Sequence, residues 1–253
     1  MQGLTTILMF DQVYLDQSFL TTDAERIDLS DINNTFGYCA NQSLKVIGAR
    51  LSNRRNRGIT FVGSGNYHYV TYLLLAELQL PFTLILFDYH TDMLPSLWPS
   101  LLSCGSWVLK AIEELPMLKK VVLIGVRSDL ARAIPQELLK KVAVFQSNYP
   151  FWEDNIKKAI IAAIPTSSVY LSIDKDVLTE TEAVTNWEQG NMSLAQLLNI
   201  IESIALYKRI CGIDICGEYT VSLADRFCRQ SRQAAKINER ANKRILNTAL
   251  QVA

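Results

Sequence analysis

The chain carries no excess of charge: 25 Lys and Arg balance 25 Asp and Glu. No basic tract exceeds a few residues, which excludes nucleic acid as a partner read from charge. Arg54, Arg55 and Arg57 cluster, and read as a solvated helix end rather than a phosphate patch. No apolar run reaches the length of a membrane span; residues 70–75 are followed closely by Glu77, so no membrane partner is expected. Residues 1–10 are apolar without a charged leader region or a small-residue cleavage site, and read as a strand rather than a signal peptide. The five cysteines, Cys39, Cys104, Cys211, Cys216 and Cys228, are odd in number and contain no CxxC pair. That argues against a disulfide framework and against a structural zinc site, and the expected compartment is the cytoplasm. Only two histidines are present, so any chemistry needing a third imidazole is excluded.

What is there is a regular alternation. Short apolar runs rich in β-branched residues occupy 6–10, 59–62, 83–87, 121–126, 142–145, 168–173 and 210–215. Most are continuously hydrophobic, as strands covered on both faces are. Helical spacing fills 154–164 and 193–209; in the second, Ser193 and Gln196 make a capping-box start. A last helix over 222–250 is polar and is expected to break near 228–232. The alternation predicts a three-layer α/β/α fold around a doubly wound, mainly parallel sheet, with residues 1–253 as a single domain.

In such sheets ligand sites gather beyond the carboxyl ends of the strands. Polar residues stand where the apolar runs end: Asp88-Tyr89-His90-Thr91-Asp92 after 83–87, Asp174-Lys175-Asp176 after 168–173, and Gly63-Ser64-Gly65-Asn66-Tyr67-His68 after 59–62. Asp214 and Glu218 follow the run at 210–213. A DxHxD segment leaving a strand in extended form would put alternate side chains on one side. With the second DxD and His68, six donors would converge: His68, Asp88, His90, Asp92, Asp174 and Asp176. Four carboxylates and two imidazoles suit two Mn²⁺ ions, with Zn²⁺, Fe²⁺ or Co²⁺ as alternatives. Each motif has a plainer reading, since DxHxD alone makes a surface turn and His68 alone a core or cap residue. Their joint placement at strand ends favours metal. Gly63 and Gly65 lack the Lys and Ser/Thr of a P-loop. Trp98, Trp107, Trp152 and Trp187 read as packing and rim residues.

These three motifs, in this order between Gly63 and Glu218, resemble the ureohydrolase family, which contains arginase, agmatinase and formimidoylglutamase. The glycine-rich turn to His68, the Asp88, His90 and Asp92 motif, and Ser172 with Asp174 and Asp176 carry the resemblance; 189–194 resembles the turn opening the next helix. The resemblance implies an arginase-like fold, a binuclear Mn centre, and hydrolysis of a linear, non-peptide C–N bond by a metal-bridging hydroxide. Asp92 would orient that hydroxide. The implied partner is a small amidino, guanidino or amine-derived substrate, and the implied assembly a homo-oligomer.

The chain departs from the family pattern at three points. Cys104 stands where the family has its proton-shuttle histidine, and is read either as a proton donor or as a small buried apolar residue. Gly217 stands where the family has a substrate-pairing glutamate; Glu218, one residue later, is a substrate ligand or proton donor, or else a loop carboxylate. Asp214 is a second candidate to hold a cationic substrate. After the DxD, Leu178-Thr179-Glu180 replaces the family's aspartate and proline. Two alternatives follow: a metal-binding relative without turnover, and a deacetylase-type amide hydrolase, which the absence of a spare histidine disfavours.

Overall fold

A computed structural model describes residues 5–15, 17–19, 24–96, 98, 100–151, 153–221, 224–225 and 228–252. The expectations that fell on residues 1–4, Trp152 and Ser222 lie outside the described residues. The chain runs β1 (Thr5–Met9), β2 (Glu25–Asp28), β3 (Tyr38–Ala40), α1 (Asn41–Ser52), β4 (Ile59–Phe61), α2 (Val70–Ala76), β5 (Phe82–Phe87) and β6 (Leu101–Ser103). It continues with α3 (Trp107–Glu114), β7 (Leu118–Val126), α4 (Ser128–Arg132), β8 (Val142–Gln146) and α5 (Asp154–Ala162). Then come β9 (Ser168–Asp174), α6 (Leu194–Ala205), β10 (Arg209–Cys216) and α7 (Arg229–Val252).

Eight strands form one sheet in the order β2-β1-β4-β10-β9-β5-β7-β8, and every pairing in it is parallel. The continuous apolar runs follow from this arrangement, because both faces are covered. Along β5, Leu84 and Leu86 face the core under α1, α2 and α3, while Ile85 and Phe87 face the core under α5, α6 and α7. The α/β/α layering read from the sequence is therefore present. α6 forms where its cap dictates: Ser193 accepts from Gln196 N, and Gln196 Oε1 accepts from Ser193 N. Its buried stripe of Leu194, Leu197, Leu198, Ile201 and Ile204 packs on the sheet, each side chain contributing roughly 1.5–3 kcal/mol of burial.

Three strands were not foreseen. β2 is short and half exposed, and β3 with β6 makes a separate antiparallel pair of three residues each. None has an apolar run long enough to mark it. The Arg54 expectation needs correction: it is buried, bonded to Leu51 O at 3.0 Å and to Glu77 at 2.5 Å, because the end of α1 packs it against the end of α2. Arg55 does project into solvent.

Candidate metal centre

The carboxyl ends of four adjacent strands, β4, β10, β9 and β5, converge here. After β4, Ser64 caps a 3₁₀ turn over Gly65–Tyr67, and His68 closes it. After β5, the DxHxD segment bends instead of running extended, which corrects the expectation of simple alternation. His90 N folds back onto Asp88 Oδ1 at 2.6 Å, and Asp92 takes a left-handed φ of 51°. The second DxD also turns: Asp174 caps a 3₁₀ turn over Lys175–Val177 and accepts from Asp176 N at 3.0 Å. An aspartate capping its own chain two residues on explains both bends.

His68 is held from behind and open in front. Its Nε2 lies 2.9 Å from Ser172 Oγ, and Ser172 Oγ donates to Asp214 Oδ1 at 2.8 Å. A hydroxyl that donates to Asp214 accepts from the imidazole, so Nε2 carries a proton and Nδ1 is the nitrogen left to face the cluster. Nδ1 has no hydrogen-bond partner, although it is buried. It faces Asp92 Oδ2 at 3.1 Å, Asp88 Oδ2 at 3.4 Å and Asp174 Oδ2 at 3.5 Å. A buried ring nitrogen facing three carboxylate oxygens draws positive charge between them, as a proton on the ring or as a cation.

A second group adjoins the first. His90 Nδ1 lies 2.8 Å from Asp176 Oδ2 and 3.4 Å from Asp88 Oδ1, and Tyr89 N donates to Asp176 Oδ1 at 3.0 Å. Groups spaced to hold an ion are His68, Asp88 and Asp92; Asp88, His90 and Asp176; and His68, Asp174 and Cys216. All six residues expected as ligands thus come together, with Asp88 common to two groups. Two glycines permit the approach around Asp174. A Cβ at Gly217, whose φ is +88°, would lie 2.6 Å from Asp174 Oδ1, and one at Gly65 would lie 2.9 Å from Oδ2.

The electrostatics state the same demand. Burial, joined by the charge of Asp88, pushes Asp176 up to about 7. Burial with the Asp92 charge raises Asp88, and burial with the Asp176 charge raises Asp174. Burial opposes a charge on His90, yet Asp176 and Asp88 outweigh it and push the imidazole up to about 12. These groups draw positive charge to the cluster as protons, and divalent cations supply the same charge more compactly.

The remaining candidates are placed differently. Cys104 follows β6, half buried; burial and the Asp92 charge push its thiol up to about 12. Asp214 lies inside β10 and is fully buried, beyond reach of a substrate; Thr71 Oγ1 and Ser172 both donate to it. Glu218 is also buried and closed off. One carboxylate oxygen takes Lys175 Nζ and Asn242 Nδ2, the other Gln17 Nε2 and Asn238 Nδ2. The sequence reading missed Trp107, whose indole Nε1 donates to Asp92 Oδ2 at 2.6 Å, and Cys216, whose Sγ lies 3.1 Å from Asp174 Oδ2. Trp107 closes the 103–107 stretch that holds Cys104, and Cys216 stands two residues past Asp214 at the end of an apolar run. Trp187 packs edge-on to His90 at the rim, as expected, and Trp98 is exposed. Beside the centre a cavity of about 570 Å³ is lined by Asp11, Phe36, Asn66, Tyr67 and Trp187.

The model of the arginase family matches residues 6–238. An uncharacterized protein of Thermotoga maritima is 34% identical over 212 residues, covering 84% of this chain and 78% of that one. Among solved structures, proclavaminate amidino hydrolase from Streptomyces clavuligerus superposes with a TM-score of 0.68 at 18% identity, over 98% of this chain and 92% of that one. Arginase from Bacillus caldovelox does so with a TM-score of 0.66 at 15% identity, over 96% and 98%. At these identities the two structures share the fold. No helix among the described residues is long and apolar enough to cross a membrane.

Proposed function

The chain belongs to the arginase family, and from that premise we propose that it is a metal-dependent hydrolase cleaving a linear C–N bond of a small amidino or guanidino compound. The observation that carries this reading is His68 Nδ1, buried and unpartnered among three carboxylates. The amidino class draws support from the S. clavuligerus protein, named for amidino hydrolysis, with which the chain shares its fold.

The donors fit two divalent cations: one at His68, Asp88, Asp92 and Asp174, the other at Asp88, His90 and Asp176. Oxygen-rich sets of this kind suit Mn²⁺, with Zn²⁺, Fe²⁺ or Co²⁺ as competitors. When bound, such a pair supplies Lewis acidity and ionises water at neutral pH. The chain supplies the rest. Trp107 fixes Asp92 so that its carboxylate can accept the hydrogen bond of the attacking water and orient its lone pair. Cys104, protonated at neutral pH, is the candidate proton donor to the departing amine. Glu218 is better assigned to positioning, since both of its oxygens are already engaged. Gly65 and Trp187 bring the rim close over Asp174 and His90, narrowing the approach to a planar group.

The capture of Glu218 and the thiol at position 104 favour a second reading, a metal-binding relative without turnover. Elemental analysis of metal-reconstituted protein against Asp88→Asn/Asp174→Asn tests the centre; two ions per chain, lost in the variant, are expected. A screen for urea, ammonia or free amine release then separates the readings. A parent protein with no bound metal would overturn both.

A further inference from the structure

We infer that Cys216 is a metal ligand as its thiolate, giving the His68 side of the centre a sulfur donor and a preference for a softer ion than its neighbour. This rests on the metal-centre reading above and deepens it. β10 pairs with β9 in a register that sets Cys216 opposite Asp174, so their side chains rise side by side from neighbouring strands. The Sγ lies 3.1 Å from Asp174 Oδ2, the oxygen that also faces His68 Nδ1. His68, Asp174 and Cys216 each place one donor atom within 4.8 Å of the others, and all three are buried. An independent feature points to an ion there: His68 Nδ1 has no hydrogen-bond partner and is 1% exposed.

Gly217 lacks a side chain where a Cβ would strike Asp174 Oδ1 and Lys175 N, so the strand end closes tightly on Asp174 and carries Cys216 with it. The other cysteines stand outside every group spaced for an ion among the described residues. On coordination the S–H bond breaks, a metal–sulfur bond forms, and the proton leaves to solvent; no oxidant or reductant is needed.

The two halves of the centre then differ in chemistry. The His68 side offers nitrogen, oxygen and sulfur, which selects Zn²⁺, Co²⁺ or Fe²⁺ over Mn²⁺. The His90 side offers nitrogen and oxygen alone, from Asp88, His90 and Asp176. The structure thereby points to a mixed centre, with a borderline ion held against Cys216 and Mn²⁺ tolerated beside it.

Cobalt substitution reads this directly. The unsubstituted protein loaded with Co²⁺ should show an intense near-ultraviolet thiolate-to-cobalt absorption, lost in Cys216→Ser and kept in Cys104→Ser. X-ray absorption of the Zn²⁺-loaded protein should contain a sulfur shell at about 2.3 Å. In competition, Cys216→Ser should shift Zn²⁺-over-Mn²⁺ selectivity toward Mn²⁺ by roughly tenfold. Co²⁺ binding without the thiolate band, or Zn²⁺ without the sulfur shell, overturns the inference and leaves the metal-centre reading standing. Failure of Co²⁺, Zn²⁺ and Mn²⁺ alike to bind overturns both. The spectra of the unsubstituted protein decide the matter even where Cys216→Ser does not fold.

Discussion

Trp107 donates its indole N–H to Asp92 Oδ2 at 2.6 Å, and that same oxygen stands 3.1 Å from His68 Nδ1. One buried ring, the first residue of α3, thus sets the aim of a carboxylate whose backbone is itself in a left-handed conformation. The His68 ring packs against it at 4.9 Å between centroids, so the indole fixes both partners of the contact.

Removing only that donor should loosen the centre. Trp107→Phe keeps an aromatic ring in the core but leaves Asp92 without its bond. Metal affinity should fall by roughly 10–100-fold, the usual effect of losing a partner behind a ligand. Titration in chelator-buffered metal would measure it, with exposed Trp98→Phe as the control expected to change nothing. Equal affinities in Trp107→Phe and the parent would remove the positioning role.

The Ser172 link between His68 and Asp214 makes a separate demand. Ser172→Ala removes the acceptor that keeps the proton on Nε2, freeing the imidazole to take the other tautomer. We expect one ion per chain to weaken by roughly tenfold or more while the His90 side retains its affinity. Nitrogen-15 chemical shifts of the His68 ring report the tautomer. An unchanged tautomer with weakened metal would place the fault elsewhere.

Acidity gives a third test. Without metal, Asp176 is pushed up to about 7 and Asp214 to about 6, both chiefly by burial, against 3.8 for an ordinary aspartate. The folded chain then binds more protons than the unfolded chain, so stability falls as pH rises from about 4 to about 7. His90, pushed up to about 12, continues the fall above its ordinary 6.5. Bound cations reverse the preference at the ligands. The rise in Tm on adding metal should therefore grow from pH 4.5 to pH 7.5. A Tm gain that stays flat across that window would refute the linkage.

These tests rest on features the sequence revealed unevenly. The clustered residues were legible because each group interrupts an apolar run: Asp88, His90 and Asp92 follow 83–87, and Asp174 and Asp176 follow 168–173. The parallel sheet was legible for the same reason, since strands covered on both faces have no polar alternation. Glu218 was not legible. Its partners come from positions 17, 175, 238 and 242, which no helical or strand period connects, and only the docking of α7 against the strand ends brings them together. By sequence Trp107 is a packing or rim residue; its second role depends on the bend at Asp92, which no local pattern in the sequence announces.

That buried network should be cooperative. Lys175 and Glu218 are both withdrawn from solvent, and Asn242 bonds to each. Lys175→Met strands a buried carboxylate and should destabilise by about 3–5 kcal/mol. Lys175→Met/Glu218→Gln removes both charges and should recover part of that loss. Urea unfolding in the presence of chelator measures the pair without the metal's contribution. Additive losses would show that the two charges do not depend on each other.

Cys104 decides between turnover and mere metal binding. Its thiol, held protonated by burial and the Asp92 charge, gives up a proton only reluctantly, although its thiolate would take one back readily. An imidazole does both near neutral pH, and this chain has none to spare beyond His68 and His90. Cys104→His should therefore raise turnover of an amidino or guanidino substrate by roughly tenfold or more, with metal content unchanged. It should also introduce an inflection in the pH–rate profile near 6 to 7, where a histidine ordinarily titrates. Cys104→Ala should lower turnover, because no neighbouring imidazole replaces the lost proton. A hydrolase responds in opposite directions to these two changes at one position. A protein that only binds metal responds to neither, and that outcome, with both ions still in place, would establish the reading without turnover.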